Sequence, residues 1–213
     1  HENYEGDEII HTFTYESDDK KLVLTSVWSA EANFESPIRH KITLKNNSGE
    51  KLFVETADSM NLEISKNTGE YLTNSYSYKG AVATTSYGYR CDNVDNGYIM
   101  DVFSTTEYNN GWQTDQGYIP WISLNKTINN QNFGLYLGIM WSDCRIKVYG
   151  KENSVYVQAG LDDDFITEIP SGSYYYIPEV FIGTYIGDVD DGSNDMKKWY
   201  FAFKMPESNR IDN

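Results

Sequence analysis

Apolar and polar residues alternate with a period of two along most of the chain, the signature of strands with one face buried. IIHTFTYES, KLVLTSVWSA, HKITLKN and KLFVETADSMNLEIS carry the pattern in the first third. YIMDVFSTTEY, NFGLYLGIMWS, CRIKVYG, SVYVQAGL, DFITEIPSGSYYY and EVFIGTYIG carry it afterwards. Turn-forming clusters separate them: SDDK, NNSGE, NQN, KEN, LDDD and PSGS. HKITLKNNSGEKLFVET reads as a hairpin. Strands recurring roughly every 8–15 residues favour antiparallel sheets over a βαβ arrangement. The expected class is all-β, a large two-sheet antiparallel sandwich with a short C-terminal helix. TADSMNLE is a weak second helical candidate.

The C-terminal helix is read from a change of period. Gly187, Asp188 and Asp190 to Asn194 are turn and N-cap residue types. Met196, Trp199, Tyr200 and Phe203 then recur at helical spacing as one apolar stripe. Such a stripe is expected to lie against the sandwich or to await another domain.

Composition narrows the partners. The 213 residues include 18 tyrosines, and aromatics make up 15% of the chain, which suits half-buried pleated surfaces. A net charge of −15 sets the protein against nucleic-acid phosphates and anionic membrane surfaces, and leaves neutral ligands such as sugars open. No apolar run approaches ~18 residues, so no membrane-crossing helix is expected. The chain begins at His1 and is therefore read as a processed product or an excised fragment. Cys91 and Cys144 exclude a CxxC metal site; they either form a disulfide or are two small buried hydrophobes. Sequons at Asn46 and Asn125 are weak pointers to secretion, so a secreted and a cytoplasmic bacterial location both stay open.

Candidate chemistry is sparse. The three histidines, His1, His11 and His40, lie on strand-like segments, and no GxSxG elbow accompanies them, so they read as structural. DVDDGSND resembles a calcium loop, but its Gly comes one residue early and no Glu closes it. Asp190, Asp191 and Ser193 are better read as caps of the helix N-terminus, and no metal or cofactor is expected. LDDD reads as a solvated turn. No catalytic pair of carboxylates can be chosen among 32 acidic residues without geometry. The strongest local signal is EYNNGWQTDQGYIPWISLN, which sets Trp112, Tyr118 and Trp121 among Asn, Gln, Asp and Gly. Aromatic faces stack on sugar C–H faces while amides and carboxylates take hydroxyls, so these three are the candidate sugar-binding residues. The competing reading packs the rings at the sandwich edge or against another domain. Trp112, beside Gly111 and two asparagines, is expected to be exposed; Trp121, opening the alternation WISL, is expected to point inward. Tyr174, Tyr175 and Tyr176 read as a strand with rings on both faces.

The final segment, PEVFIGTYIGDVDDGSNDMKKWYF, resembles the end of the N-terminal domain of glycoside hydrolase family 36, the α-galactosidases, through Pro178, Gly183, Tyr185, Gly187, Asp188, Gly192 and Trp199. IRHKITLKNNSGEKLFVE is similar to that domain's early hairpin. NFGLYLGIMWS and VYVQAGLDDDFITEIPSGSYYYIPEV are similar to its late strands. The resemblance runs from about Trp28 onward. It implies a β-supersandwich over 1–190, and over 191–213 a helix and the start of a linker to a catalytic (β/α)8 barrel of the same polypeptide. It implies a parent enzyme that hydrolyses terminal α-galactosides or α-N-acetylgalactosaminides with retention, through two aspartates of the barrel and no cofactor. No catalytic residue then falls within this chain. Members of the family that form homo-tetramers can lend an N-terminal aromatic to a neighbouring active site, a role for which Trp112 is the candidate here. Two other readings compete: a free-standing carbohydrate-binding module for galactose-type sugars, and a small β-sandwich enzyme with an acid pair in a cleft.

Overall fold

The structure, a computed structural model, describes residues 8–55, 58–67, 71–78, 89–103, 107–109, 112–114, 118–141, 144–161 and 165–205. The first strands are β1 (Glu8–Glu16), β2 (Leu22–Glu31), β3 (Ile38–Asn46), β4 (Leu52–Glu55), β5 (Asp58–Ser65), β6 (Leu72–Tyr78), β7 (Arg90–Asn93) and β8 (Ile99–Phe103). They are followed by β9 (Glu107–Asn109), β10 (Trp112–Thr114), β11 (Tyr118–Ile128), β12 (Gln131–Ile139), β13 (Cys144–Gly150), β14 (Ser154–Leu161), β15 (Ile166–Ile169) and β16 (Tyr174–Ile186). A helix α1 (Val189–Trp199) closes with a π-helical turn over Tyr200–Lys204. The all-β class and the short C-terminal helix are as expected.

A large antiparallel sheet has the order β1-β2-β3-β16-β12-β11-β6-β7, and a smaller one the order β5-β14-β13-β8. Between them lies the main core. Alternate residues of the large sheet, including Tyr76, Ile122, Leu124, Leu137, Ile139 and Val180, meet alternate residues of the small one, including Met60, Val102, Ile146, Val148, Val155 and Val157. The period of two in the sequence thus becomes two opposed apolar faces. A ribbon of β4 and β15 covers a second cluster, in which Leu44, Leu161, Ile169 and Ile177 are buried.

The inner face of the large sheet runs on past its cover. Ile9, His11, Phe13 and Tyr15 pair with Ala30, Trp28, Ser26 and Leu24, and so continue the core-facing rows onto edge strand β1. All four are exposed, Tyr15 by 60%.

Two β-bulges meet where the sheets are joined. β16 carries an extra residue against β3 between Ile177 and Val180, at Pro178, which has no N–H to give to a ladder. β5 carries one against β14 at Ser59, between partners Met60 and Asp58. The Ser59 hydroxyl donates to the Pro178 carbonyl (2.7 Å), and its own carbonyl accepts from His40 Nδ1 (2.8 Å). His40 Nε2 then accepts from Ser26 Oγ (2.9 Å), which accepts from Trp28 Nε1 (3.1 Å), while the Trp28 and His40 rings stack at 4.0 Å. Every member of this buried chain is satisfied with His40 neutral. Burial lowers the His40 pKa, opposed by the hydrogen bond to Ser59. The histidine is structural, as the sequence suggested.

Several expectations are corrected. HKITLKNNSGEKLFVET is not a hairpin: β3 pairs with β2 and β16, and β4 pairs with β15. Asn46 redirects the chain. It is fully buried, its Nδ2 donating to Glu50 O (2.6 Å) and Ile169 O (2.8 Å), and its Oδ1 accepting from Ser48 N (2.9 Å) and Ser48 Oγ (2.7 Å). That sequon asparagine therefore has no free amide. TADSMNLE is strand rather than helix from Asp58 on, because its residues complete the small sheet beside β14. YIMDVFSTTEY is not one strand but β8 followed by the start of a separate ribbon. Cys91 is exposed, Cys144 is buried with its thiol donating to Trp141 O (3.2 Å), and no disulfide joins them. Strands β6 and β7 carry no apolar–polar alternation: LTNSYSY buries the polar Asn74 and Ser75, and RCDN is an edge strand with no buried residue; Asn74 sits inside by donating to Tyr98 Oη (3.2 Å).

Candidate functional site

The aromatic segment singled out in the sequence is less loop-like than expected. Glu107–Asn109 and Trp112–Thr114 form a small antiparallel ribbon with Asn109 directly opposite Trp112. Tyr118 opens β11 and pairs with Tyr78. The side chains of Trp112 and Tyr118 lie outside the described residues, so their expected roles in sugar binding stay at the level of sequence. Trp121 is 7% exposed and packs with Tyr136, Phe181, Tyr185, Val189 and Trp199. It is buried, but not by pointing into the core between the sheets as expected: Ile122 and Leu124 take that face, and Trp121 shares the opposite, outer face with Ser123, where α1 covers it. Its packed ring has no open face for a sugar to stack on.

Trp121 belongs to a three-by-three array on the outer face of the large sheet. Across β11, β12 and β16 the rows are Trp121–Gly138–Phe181, Ser123–Tyr136–Gly183 and Asn125–Gly134–Tyr185. Each row has one glycine, and each glycine has an aromatic ring where its side chain would be: Phe181 over Gly138, Tyr136 over Gly183 and Tyr185 over Gly134. The rings lie down rather than standing up, which makes a shallow bed for α1.

Helix α1 fits that bed through the residues of the C-terminal motif. Gly187 has φ +124°, a conformation that favours glycine, and turns the chain out of β16. Asp188 is the N-cap. Its Oδ1 accepts from Asp190 N (2.9 Å) and Asp191 N (3.2 Å), while Asp191 Oδ2 accepts from Asp188 N (2.9 Å), a reciprocal capping box. Asp188 and Asp191 thus do the capping, not Asp190 or Ser193 as expected; Asp190 is a first-turn acid that complements the helix dipole. No group of three or more His, Cys, Asp or Glu side chains suited to a metal occurs among the described residues. Gly192 passes over the Tyr185 ring, and Trp199, 0% exposed, packs on Phe181 at 5.3 Å. The π turn brings Phe203 onto Phe34 (5.1 Å, edge-on). Tyr200, expected on the buried stripe, points out at 42% exposure. Lys204 reaches Glu179 (3.2 Å), which also meets Lys41 (2.8 Å). Burial pushes the Glu179 carboxyl up, but the two ammonium groups outweigh it and hold the pKa below its ordinary value.

Beside the start of α1 lies a groove of about 570 Å³ whose lining includes Thr73, Ser75, Cys91, Asn125 and Asp188. Under it, Tyr185 Oη lies 2.5 Å from Ser123 Oγ and donates to Asn125 Oδ1. Burial raises the Tyr185 pKa. The groove offers hydroxyls and an amide. Its carboxylate, Asp188, is committed to the helix cap, so the described residues place no free acid–base pair for hydrolysis there.

No protein-family model matches the chain, and no curated protein matches it by sequence. Solved structures do match by fold. The α-galactosidase from Lactobacillus brevis aligns with a TM-score of 0.73 at 14% identity, over 94% of this chain and 26% of that one. The family 36 α-galactosidase AgaB from Geobacillus stearothermophilus gives 0.65 at 17% identity, over 91% of this chain and 25% of that one. The galactosidase domain of an α-galactosidase–sucrose kinase gives 0.64 at 14% identity, over 84% and 24%. The chain therefore has the fold of a segment of the family 36 α-galactosidases, as the sequence resemblance implied, and spans about a quarter of their length.

Proposed function

We propose that this chain is the non-catalytic N-terminal β-supersandwich of an α-galactosidase-like glycoside hydrolase acting on terminal α-galactosides or α-N-acetylgalactosaminides. The observation that carries the reading is the asymmetry of coverage: the fold match takes in 94% of this chain and 26% of the Lactobacillus brevis α-galactosidase. The chemistry agrees with it. Hydrolysis with retention needs two carboxylates about 5–5.5 Å apart on either side of the scissile bond. Among the described residues, Asp188 and Asp191 beside the groove at the start of α1 are held in the helix cap, and Glu179 is held in ion pairs. The two catalytic aspartates belong to a barrel of the same polypeptide, and this domain is its scaffold. The exposed apolar row Ile9, Phe13 and Tyr15, with Phe201 at the end of the helix, supports a domain that lies against further protein.

In this reading the sandwich occupies 1–190, and 191–213 holds the helix and the start of the link to the barrel. Trp112, on the β9–β10 ribbon, is the residue we place at a sugar in a neighbouring active site; Tyr118 is kept as a second sugar-binding candidate.

The test is to express the 213-residue chain and the whole reading frame that contains it, and to assay both on aryl α-galactosides and aryl α-N-acetylgalactosaminides. Turnover by the long protein alone is expected. Turnover by the short chain that is abolished by changing one of its own acids would overturn the reading.

A further inference from the structure

We propose that the outer face of the small sheet is a binding site for a neutral oligosaccharide, separate from the Trp112 segment. The strand registers set its side chains in rows. Across β8, β13, β14 and β5, one row reads Ile99–Tyr149–Tyr156–Glu63 and the next Asp101–Lys147–Gln158–Asn61. An apolar, aromatic row thus lies beside a row made wholly of hydrogen-bonding side chains, the amphiphilic pairing that a sugar ring presents in reverse: a C–H face and an equatorial belt of hydroxyls.

The first row is rigid. Tyr149 and Tyr156 stack in parallel at 4.9 Å with 7° between their planes. Tyr156 Oη donates to Glu63 Oε1 (2.7 Å), which also accepts from Ser154 Oγ (2.8 Å). Lys151 Nζ lies over both rings, 4.5 Å from the centre of Tyr156 and 6.0 Å from that of Tyr149. Tyr149 borders a cavity of about 350 Å³ that it shares with Tyr98, Ile99, Lys147, Lys151 and Gln158. Ile99, directly opposite Tyr149, is 65% exposed. The volume falls at the lower end of the range for small-molecule sites and suits one or two sugar units.

The second row supplies the polar side of that cavity: Lys147 and Gln158 line it beside Tyr149 and Ile99. An ammonium and a side-chain amide are groups that ligand hydroxyls can bond. A plain solvated strand face accounts for lysine and glutamine there. It does not account for an aromatic stack that borders a cavity together with them. The site stands independently of the domain assignment above, because it is built wholly from strands of this chain.

The experiment is a two-dimensional amide NMR titration of the 213-residue chain with raffinose, maltotriose and cellotriose, each to about 20 mM, above the millimolar range of single-site sugar recognition. At least one sugar is expected to shift amides at 98–101, 147–151 and 156–158 together. Tyr149→Ala and Gln158→Ala should each weaken that binding by roughly tenfold, the loss of one good contact. Gln158→Ala should keep the parent melting temperature, which separates lost binding from lost fold, and Trp112→Ala should bind as the parent does. The proposal is overturned if none of the three sugars shifts these amides, if the shifts fall on the β9–β10 ribbon instead, or if only trigalacturonic acid binds, through the lysines.

Discussion

The ring of Tyr185 occupies the space that a side chain at Gly192 would need, with the same ring also covering Gly134 on the neighbouring strand. One tyrosine is therefore clamped between two glycines, one in the sheet and one in the helix. This relationship explains why a glycine stands inside α1, where it costs about 1 kcal/mol of helix propensity relative to alanine.

Gly192→Ala tests the clamp, because two effects oppose each other. Alanine favours the isolated helix by about 1 kcal/mol. The added methyl overlaps the Tyr185 ring, and overpacking costs about 1–3 kcal/mol. The overlap is with the body of a ring held by Ser123 and Asn125, so it wins, and a lower melting temperature is expected. Combining Gly192→Ala with Tyr185→Leu should recover part of the loss. A Gly192→Ala protein more stable than the parent would show that the helix does not sit on Tyr185.

Trp121 and Trp199 belong to one cluster and should behave as one. Each replaced by alanine is expected to cost about 3–5 kcal/mol in urea unfolding, as large buried aromatics do. The double variant should lose less than the sum, since the second truncation removes contacts the first has already damaged. Full additivity would mean that α1 and the sheet are not packed through these rings.

His40 gives the fold a pH dependence whose sign can be worked out. Its folded pKa lies below the unfolded value of 6.5, so the unfolded chain binds the proton more readily. The contribution is fully present above pH 6.5 and is lost as pH falls through the folded pKa. Urea unfolding at pH 7.5 and 5.5 should show the parent losing stability at the lower pH, by at most about 1.4 kcal/mol per pH unit from this group. His40→Phe should be less stable at pH 7.5, because Ser26 and Ser59 lose their partner, but should have a flatter profile between these pH values. An unchanged slope would remove His40 as its source.

Asn46→Ala should cost about 1–3 kcal/mol, since it leaves the buried carbonyl of Ile169 without its donor, while the exposed Glu50 carbonyl keeps a donor in Ser48 Oγ. Asn125→Ala should cost less, as the Asn125 amide is only partly buried. Thermal melts of the two variants side by side give the ranking, and the reverse order would refute the role given to Asn46.

Period-two alternation was enough to read the class of fold, and the change of period after Gly187 was enough to place the last helix. Both are local facts of side-chain spacing, and burial of one face per strand makes them visible in a single sequence. WISL did not tell which way Trp121 points: Ile122 and Leu124 face the core, and Trp121 is buried on the other face only because α1 packs over it. Pairing was another matter. HKITLKNNSGEKLFVET has the composition of a hairpin, yet Asn46 and the distant Ile169 take β4 to β15, a contact across 123 positions that no local pattern encodes. LTNSYSY shows no strand alternation in its letters because its buried positions include Asn74 and Ser75, whose burial depends on partners elsewhere in the chain. The C-terminal motif could be matched to a family from its letters, but its physical meaning came only from the assembled sheet. Gly134, Gly138 and Gly183 are scattered glycines in the sequence; they become one bed for a helix only when three strands are set in register. The Tyr149 row is likewise spread over β5, β8, β13 and β14, so no stretch of sequence contains it, and only tertiary structure brings its residues side by side.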